Sequence, residues 1–584
     1  MKNLINHSPL RSHIHKNLAK VALKEEEADL CLTGGKIVNP FSWSIERQDV
    51  AIKGDRIAGV GLGFKAKRFF DCKGLYICPG LIDAHIHIES TMLSPRQFAR
   101  TVVPHGTTCV VADPHEIANC LGIAGIEFMI SQSDNIPMDI FYTAPSCVPA
   151  THLETSGAEL GAKEIEKLLR LHKIIALGEV MNFPGVIYGD KEVGLKLEIA
   201  RRMGIPIDGH APGLSGDALC AYISAGIDSD HECTTLSEAE EKLSRGMYLF
   251  LREGTSEQNL EELAGAVTPH NVHKCCLVSD DRSPDDLLEK GHMDYSLKMA
   301  VRAGIDPIGA IAMATINPAC RFKLSERGAV VPGFLADLIL LKDLKDFQVE
   351  ATIFRGEVVA QKGKMVADIP ESPLPKFVSS SIKVKQDSLD FSIKAISDRL
   401  RVIGIRPGQI VTDELVLPVT EESGMAVSDP KRDIIKLAVV ERHHASGNVG
   451  LGFVKGLGIK NGALASTISH DSHNIVVAGT NDTDMLAAVK ALMEIGGGIV
   501  VIKDGQVQAS LSLSISGLMS DKKVEDVRAE FSGVKMAART IGTSLDNPFM
   551  ILSFLALPVI PRLKLTDKGL VDVEKFSIVP LFFH

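Results

Sequence analysis

Between residues 76 and 325 the chain repeats one pattern: a short apolar run, a polar residue at its end, then a helix-like stretch. The apolar runs fall at 77–87, 107–113, 139–146, 174–180, 206–210, 228–231, 247–252 and 274–280. Segments such as 162–172 and 192–203 supply helical periodicity between them. Eight strands alternating with helices over about 250 residues predict an α/β fold, a (β/α)8 barrel.

The flanks read differently. Residues 28–75 contain β-rich runs around glycine turns, ADLCLTGGKIVNP and DVAIKGDRIAGVG, which is hairpin chemistry. Residues 326–375 return to the same style, in GAVVPGFLADLILL and EATIFRGEVVAQKGK, so one small β domain assembled from both flanks of the barrel is expected. Residues 1–27 form a polar, helix-like N-terminal extension. Beyond the proline-rich 370–375 segment, residues 383–584 contain no cysteine, and that shift marks a separate C-terminal α/β domain.

All 11 cysteines precede residue 321, and none forms a CxxC pair, which predicts free buried thiols rather than a disulfide framework or zinc ribbon. The net charge of −10 argues against a nucleic-acid surface, because phosphate contacts need clustered cations. The basic N-terminus lacks the apolar core of a secretory signal, and the most apolar stretch, 549–560, is broken by Ser553 and Pro558. A soluble cytoplasmic protein with no membrane partner is expected. Its ligand is then a small molecule or another protein, and large barrels of this kind often form homo-oligomers.

The sharpest chemical signal is PGLIDAHIHIES, residues 79–90. Side chains alternate along a strand, so His85 and His87 project to one side and could chelate one divalent metal at the end of a barrel's first strand. Alone, the pair is weak, since surface histidine pairs are common. The other strand ends strengthen it. Glu179 closes KIIALGEV, His210 closes PIDGH, His231 lies in DSDHECTT, and Asp280 and Asp281 follow CCLVS. Ligand-type residues recurring where each strand should reach the catalytic face need a shared cause, and a metal cluster supplies one. His85, His87, Glu179, His210, His231 and Asp280 suffice for two metals, with Glu179 bridging. Asp113 ends the second strand and either reaches the site or caps the helix that begins at Pro114.

The order His-x-His, strand-four anion, His, His, Asp resembles the amidohydrolase superfamily. Within it, PGLIDAHIHIESTMLSP, VVADPHEIAN, GEVMNFPGVI, DGHAPGLSG and SDHECTT are similar to the adenine deaminase family. The similarity continues through residues 448–482, NVGLGFVKGLGIKNGALASTISHDSHNIVVAGTND, and so covers almost the whole chain. Many superfamily members place a carboxylated lysine on strand four; Glu179 stands there in this sequence, as that family implies. The resemblance implies hydrolytic conversion of adenine to hypoxanthine and ammonia in purine salvage. It also implies two divalent ions, manganese or iron in preference to zinc, that make a water nucleophilic toward C6. Asp280 then binds metal and accepts a proton, Asp281 shuttles a proton or holds the purine, and Asp113 is a further catalytic candidate. Another aminopurine or a cyclic amide is the alternative substrate, because barrel loops set specificity.

Glu89 and Ser90 are expected to line the pocket without ligating, and Arg252 and Glu253 either contact substrate or form a rim salt bridge. Glu232 is a proton-donor candidate without a place. His152 and Glu154 match half of a cytidine-deaminase zinc signature, but no downstream P-C-x-x-C follows. The Gly496–Gly498 run lacks a following GK[ST] and reads as a turn, not a phosphate loop. His443, His444, His470 and His473 are assigned to packing or to the active-site rim. A catalytically silent scaffold would show decayed ligand positions, and none has decayed.

Overall fold

The computed structural model describes residues 17–379, 381–407 and 409–583, so most of the N-terminal extension, residues 1–16, lies outside it. Valine- and isoleucine-rich runs become strands buried on both faces, as parallel sheets covered by helices require. In chain order these are β1 Leu81–His87, β2 Thr107–Ala112, β3 Asp139–Ala144, β4 Ile174–Val180, β5 Ile207–Gly209, β6 Ser229–Asp230, β7 Tyr248–Arg252, β8 Cys275–Val278 and β9 Asp280–Asp281. Six of them form a parallel sheet in the order β5-β4-β3-β2-β1-β9, and β6-β7-β8 form a second parallel sheet.

The two sheets meet at both ends. On one side β8 runs into β9 through Ser279, whose N–H and hydroxyl donate to Asp83 of β1 at 3.2 and 2.5 Å. On the other, no ladder joins β5 to β6, but the Gly209 N–H donates to Ser229 Oγ at 3.3 Å. Arg321, the last residue of helix α2 (Ile316–Arg321, named here after α1, His115–Gln132), spans the same gap. It donates to Ile207 O at 3.2 Å and to Asp208 Oδ1 at 2.9 Å, and it pairs with Asp228 Oδ1 at 2.6 Å.

Two strands differ from the sequence reading. The expected strand 77–87 is two elements: Tyr76–Pro79 belongs to another sheet, and β1 begins only at Leu81. Gly80 is the switch, since its N–H donates to Asp337 O and a Cβ there would lie 2.2 Å from Thr108 Oγ1. The expected strand 274–280 is split because Asp280 adopts a left-handed φ of 54°.

The expected link between the flanks is present as one seven-stranded sheet. Strands Lys36–Asn39 and Ser44–Arg47 from the first flank join Leu338–Leu341, Val349–Phe354, Glu357–Gln361 and Lys364–Met365 from the second, through Tyr76–Pro79. Ile77 pairs with Leu340 and Cys78 with Ile339 across that seam. After residue 383 an eight-stranded, mostly antiparallel sheet carries helices Asp482–Glu494 and Val524–Thr540. Its strands β10 (Ala463–Ser466) and β11 (Ile475–Gly479) are antiparallel neighbours joined by the loop 467–474. The triple glycine leads out of a turn into a strand: Gly496 and Gly497 have positive φ after helix Asp482–Glu494, and Gly498 opens strand Gly498–Lys503, where a Cβ would lie 1.9 Å from Leu511 O. All cysteines are free, and all but Cys220 and Cys320 are buried. No helix among the described residues is long and apolar enough to cross a membrane.

Removing the Arg321 guanidinium leaves Asp208, a fully buried carboxylate, without its cation. Arg321→Ala is expected to cost about 3–5 kcal/mol of stability. A denaturant titration should show a lower midpoint at unchanged slope, and an unchanged midpoint would mean that Arg321 does not hold the β5–β6 edge.

Candidate metal centre

Parallel strands deliver the residues at their C-terminal ends to one face, and there the structure gathers every ligand-type residue singled out in the sequence. His87 Nε2 lies 3.1 Å from Asp280 Oδ1 and 3.4 Å from Glu179 Oε1. His231 Nε2 and His210 Nδ1 lie 3.2 and 2.7 Å from Glu179 Oε2, and His115 Nδ1 lies 3.4 Å from Oε1, so one carboxylate touches four imidazoles through its two oxygens. His85 stacks on His231 at 4.2 Å between ring centroids, and its Nε2 is 3.7 Å from Asp280 Oδ1. All these side chains are buried except that of His210, which is 23% exposed.

The donor set fits divalent cations. His87 Nδ1 lies 3.0 Å from the Asp113 carbonyl, so Nδ1 carries the hydrogen. Unless Nε2 is also protonated, a bare lone pair then faces two carboxylates inside the protein. A cation resolves that conflict, and a proton is the alternative. Burial opposes charge on His87, yet the hydrogen bond to Asp280 and the charge of Glu179 draw its pKa well above the ordinary value. The His85 Nε2 atom is buried without a partner, and burial beside His231 and His87 holds that imidazole neutral, ready to ligate. Burial alone would protonate Glu179 and Asp280, but hydrogen bonds from His210 and His231 to the first, and from His87 and the Arg252 charge to the second, hold both well below the carboxylate range. Two overlapping groups, His85–His87–Glu179 and Glu179–His210–His231, keep their ligand atoms within 4.8 Å of one another.

The remaining expectations sort by contact. Arg252 donates to Asp280 Oδ2 at 2.8 Å and to Glu232, a buried bridge rather than a rim one. Glu253 is engaged through its backbone: its N–H donates to Val278 O, and its carbonyl accepts from Arg282 at 2.7 Å. Asp113 is not the helix cap: Pro114 occupies that position, and Asp113 Oδ2 accepts the Glu179 N–H at 3.0 Å. Gly178 makes room for it, because a Cβ there would lie 2.3 Å from Asp113 Oδ2. Asp281 sits beside Asp280 where the strand has turned, and burial followed by the Asp280 charge raises its pKa. Ser90 Oγ is 2.5 Å from Asp281 Oδ1 and 2.9 Å from Glu116 Oε1. A hydroxyl has one hydrogen, so both contacts are hydrogen bonds only if one carboxyl is itself protonated. Glu89 accepts the Ile117 N–H at 3.2 Å, and burial together with Glu116 raises its pKa to about 8. His152 packs edge-on against Phe576, and His443 and His444 lie near carbonyls of Ser472 and Ser156, away from the cluster.

Three contributors escaped the sequence reading. His115 Nδ1 lies 3.4 Å from Glu179 Oε1, Glu116 holds Ser90, and Asp471 Oδ1 is 3.8 Å from His115 Nε2. Burial and His87 oppose charge on His115, yet Asp471 and Glu179 carry its pKa up to about 10. A usable signal existed for the first two: they open the helix directly after β2, where a strand-to-helix loop meets the face that carries the cluster. No local signal marks Asp471, which arrives from more than 350 residues away in sequence.

Comparison with known proteins agrees with this geometry. Residues 76–359 match the amidohydrolase family, and residues 409–577 match the adenine deaminase C-terminal domain. Among curated proteins, an adenine deaminase of Desulfatibacillum aliphaticivorans is 50% identical, over 95% of this chain and 97% of its own. One from Dehalococcoides mccartyi is 47% identical over 96% of this chain and 98% of its own. A third, from Methanothrix thermoacetophila, is 48% identical over 97% of this chain and its entire length. With the strand-end cluster intact and relatives similar from one end to the other, the chain belongs to the adenine deaminase family of amidohydrolases.

Proposed function

We propose that this protein hydrolyses adenine to hypoxanthine and ammonia at the cluster centred on Glu179. The observation that carries this reading is one buried carboxylate shared by His87, His210 and His231 in a chain of this family. We further propose that β1–β9 close into a (β/α)8 barrel spanning 76–325, with the small β domain at 28–75 and 326–375 and the C-terminal domain at 383–584. His85, His87 and Asp280 would hold one divalent ion, His210 and His231 a second, and Glu179 both. Imidazole and carboxylate donors suit manganese, iron and zinc alike, and the family resemblance favours manganese or iron. When bound, such ions supply Lewis acidity that makes a water reactive near neutral pH.

The chain's own residues then do the rest. Water oxygen adds to C6 before the C6–amine bond breaks, and its two protons end on ring N1 and on the departing ammonia, so one proton must be taken from the water and one delivered to the leaving nitrogen. Asp280 is oriented to take the first: Arg252 engages Oδ2 and leaves Oδ1 on the imidazole side. Asp281, tied through Ser90 to Glu116, is placed to deliver the second. Asp113 holds both neighbours in place: its carboxylate accepts the Glu179 backbone N–H, and its carbonyl accepts from His87 Nδ1.

Protein reconstituted with Mn2+ should release ammonia from adenine and not from adenosine, guanine or cytosine. Silence on adenine with both ions bound would reject the substrate and keep the hydrolase. Gly178→Ala forces a methyl against Asp113 Oδ2 and is expected to lower kcat about 100-fold, the usual result of a displacement near 1 Å. Wild-type turnover in that variant would remove Asp113 from the supporting structure. His87→Ala should lower the metal content measured by atomic emission and abolish turnover together; full metal content would overturn the ligand assignment.

A further inference from the structure

The loop 467–474 between β10 and β11 projects from the C-terminal sheet onto the first turn of α1, beside the metal centre. Two successive residues of that turn each reach in both directions. His115 has Nδ1 at 3.4 Å from Glu179 Oε1 and Nε2 at 3.8 Å from Asp471 Oδ1. Glu116 has Oε1 at 2.9 Å from Ser90 Oγ and Oε2 at 3.4 Å from His473 Nε2. Asp471 is 4% exposed and His473 is fully buried, so neither contact is a surface accident.

Glu116, His470 and His473 have the composition of another metal site, with ligand atoms close enough to share an ion. The tautomer of His473 argues otherwise. The Ser469 N–H donates to His473 Nδ1 at 3.1 Å, which puts the ring hydrogen on Nε2. That nitrogen then offers Glu116 a donor and has no lone pair for a cation. The loop is also pinned from several sides. His470 N–H donates to Ser553 Oγ at 3.1 Å, Asn474 Nδ2 to Thr155 O at 2.8 Å, and Arg442 to the His473 carbonyl. A loop so held can impose a geometry on what it touches.

We propose that Asp471 and His473 are positioning residues of the metal centre: Asp471 sets the ring of His115 against Glu179, and His473 sets the carboxyl of Glu116 against Ser90. The C-terminal domain thereby completes the active site rather than merely flanking it. This rests on the proposed deaminase reading for its kinetic test, so a second readout independent of turnover accompanies it.

In the Mn2+-loaded full chain, Asp471→Ala and His473→Ala should each lower kcat for adenine about 10- to 100-fold, the usual effect of losing an outer-shell partner. KM, metal content and unfolding midpoint should stay near wild type. Asp471→Asn keeps an oxygen at the Oδ1 position, and His473→Gln can still present an N–H, so both should recover most of the loss. Hydrogen exchange of the backbone amides at 115–118 should rise in the alanine variants and not in the conservative ones. Wild-type kcat and exchange in the alanine variants would overturn the proposal. So would equal losses in alanine and conservative variants accompanied by metal loss or a lowered midpoint, which would mark a purely structural role. Should the wild type itself not deaminate adenine, the functional reading fails, and the exchange comparison alone decides the positioning role.

Discussion

Everything at the catalytic face depends on one buried carboxylate. A lone ionised glutamate in the interior is costly, so Glu179 exists as an anion only because cationic or cation-seeking groups surround it. His87, His210 and His231 come from three other strands, and their spacing around two oxygens fixes how the strand ends must sit. The backbone of Glu179 is fixed in turn by Asp113 from β2, in space that Gly178 leaves open. Strand order, a glycine next to the key residue and a carboxylate two strands away are therefore one solution to one electrostatic problem.

The same logic explains the two adjacent aspartates. Against burial, Asp280 is held anionic by His87 and Arg252, while Asp281, its neighbour, is pushed toward its protonated form by burial and then by the Asp280 charge. Neighbouring carboxyls with opposite tendencies are what acid–base chemistry at one carbon needs, a proton acceptor beside a proton donor. The left-handed backbone at Asp280 brings both to the site, where a regular strand would have turned one away.

Much of this was legible from residues alone, because metal ligands at strand ends are local signals: an apolar run says strand, and the polar residue after it says which end. His85, His87, Glu179, His210, His231 and Asp280 all follow that grammar. The rest escaped for identifiable reasons. Gly80 divides what looks like one strand because the close approach of Thr108 is a tertiary fact. Asp113 before Pro114 has the form of a helix cap, yet the nearer demand was the unpaired Glu179 N–H, and that partner is 66 residues away. His115 and Glu116 are marked by position, since they open the helix directly after β2, but the apolar composition of that helix does not single them out.

The C-terminal sheet shows the limit most clearly. Its loop carries two histidines and an aspartate in SHDSH, and as a string that motif is equally consistent with packing, metal binding or a rim. Only the hydrogen bond from Ser469 to His473 Nδ1 chooses among these, since it decides which nitrogen keeps a lone pair. A tautomer is set by a neighbour's geometry, and geometry of that kind appears only when distant segments are folded together. The division of labour follows: the parallel strands supply the proposed ligands, which must be rigid and convergent, and the antiparallel sheet supplies a loop that contacts the first turn of α1 beside them. A metal centre assembled from one fold element and braced by another is more tightly constrained than either could make it alone, because each imidazole or carboxyl at the seam is held at both ends.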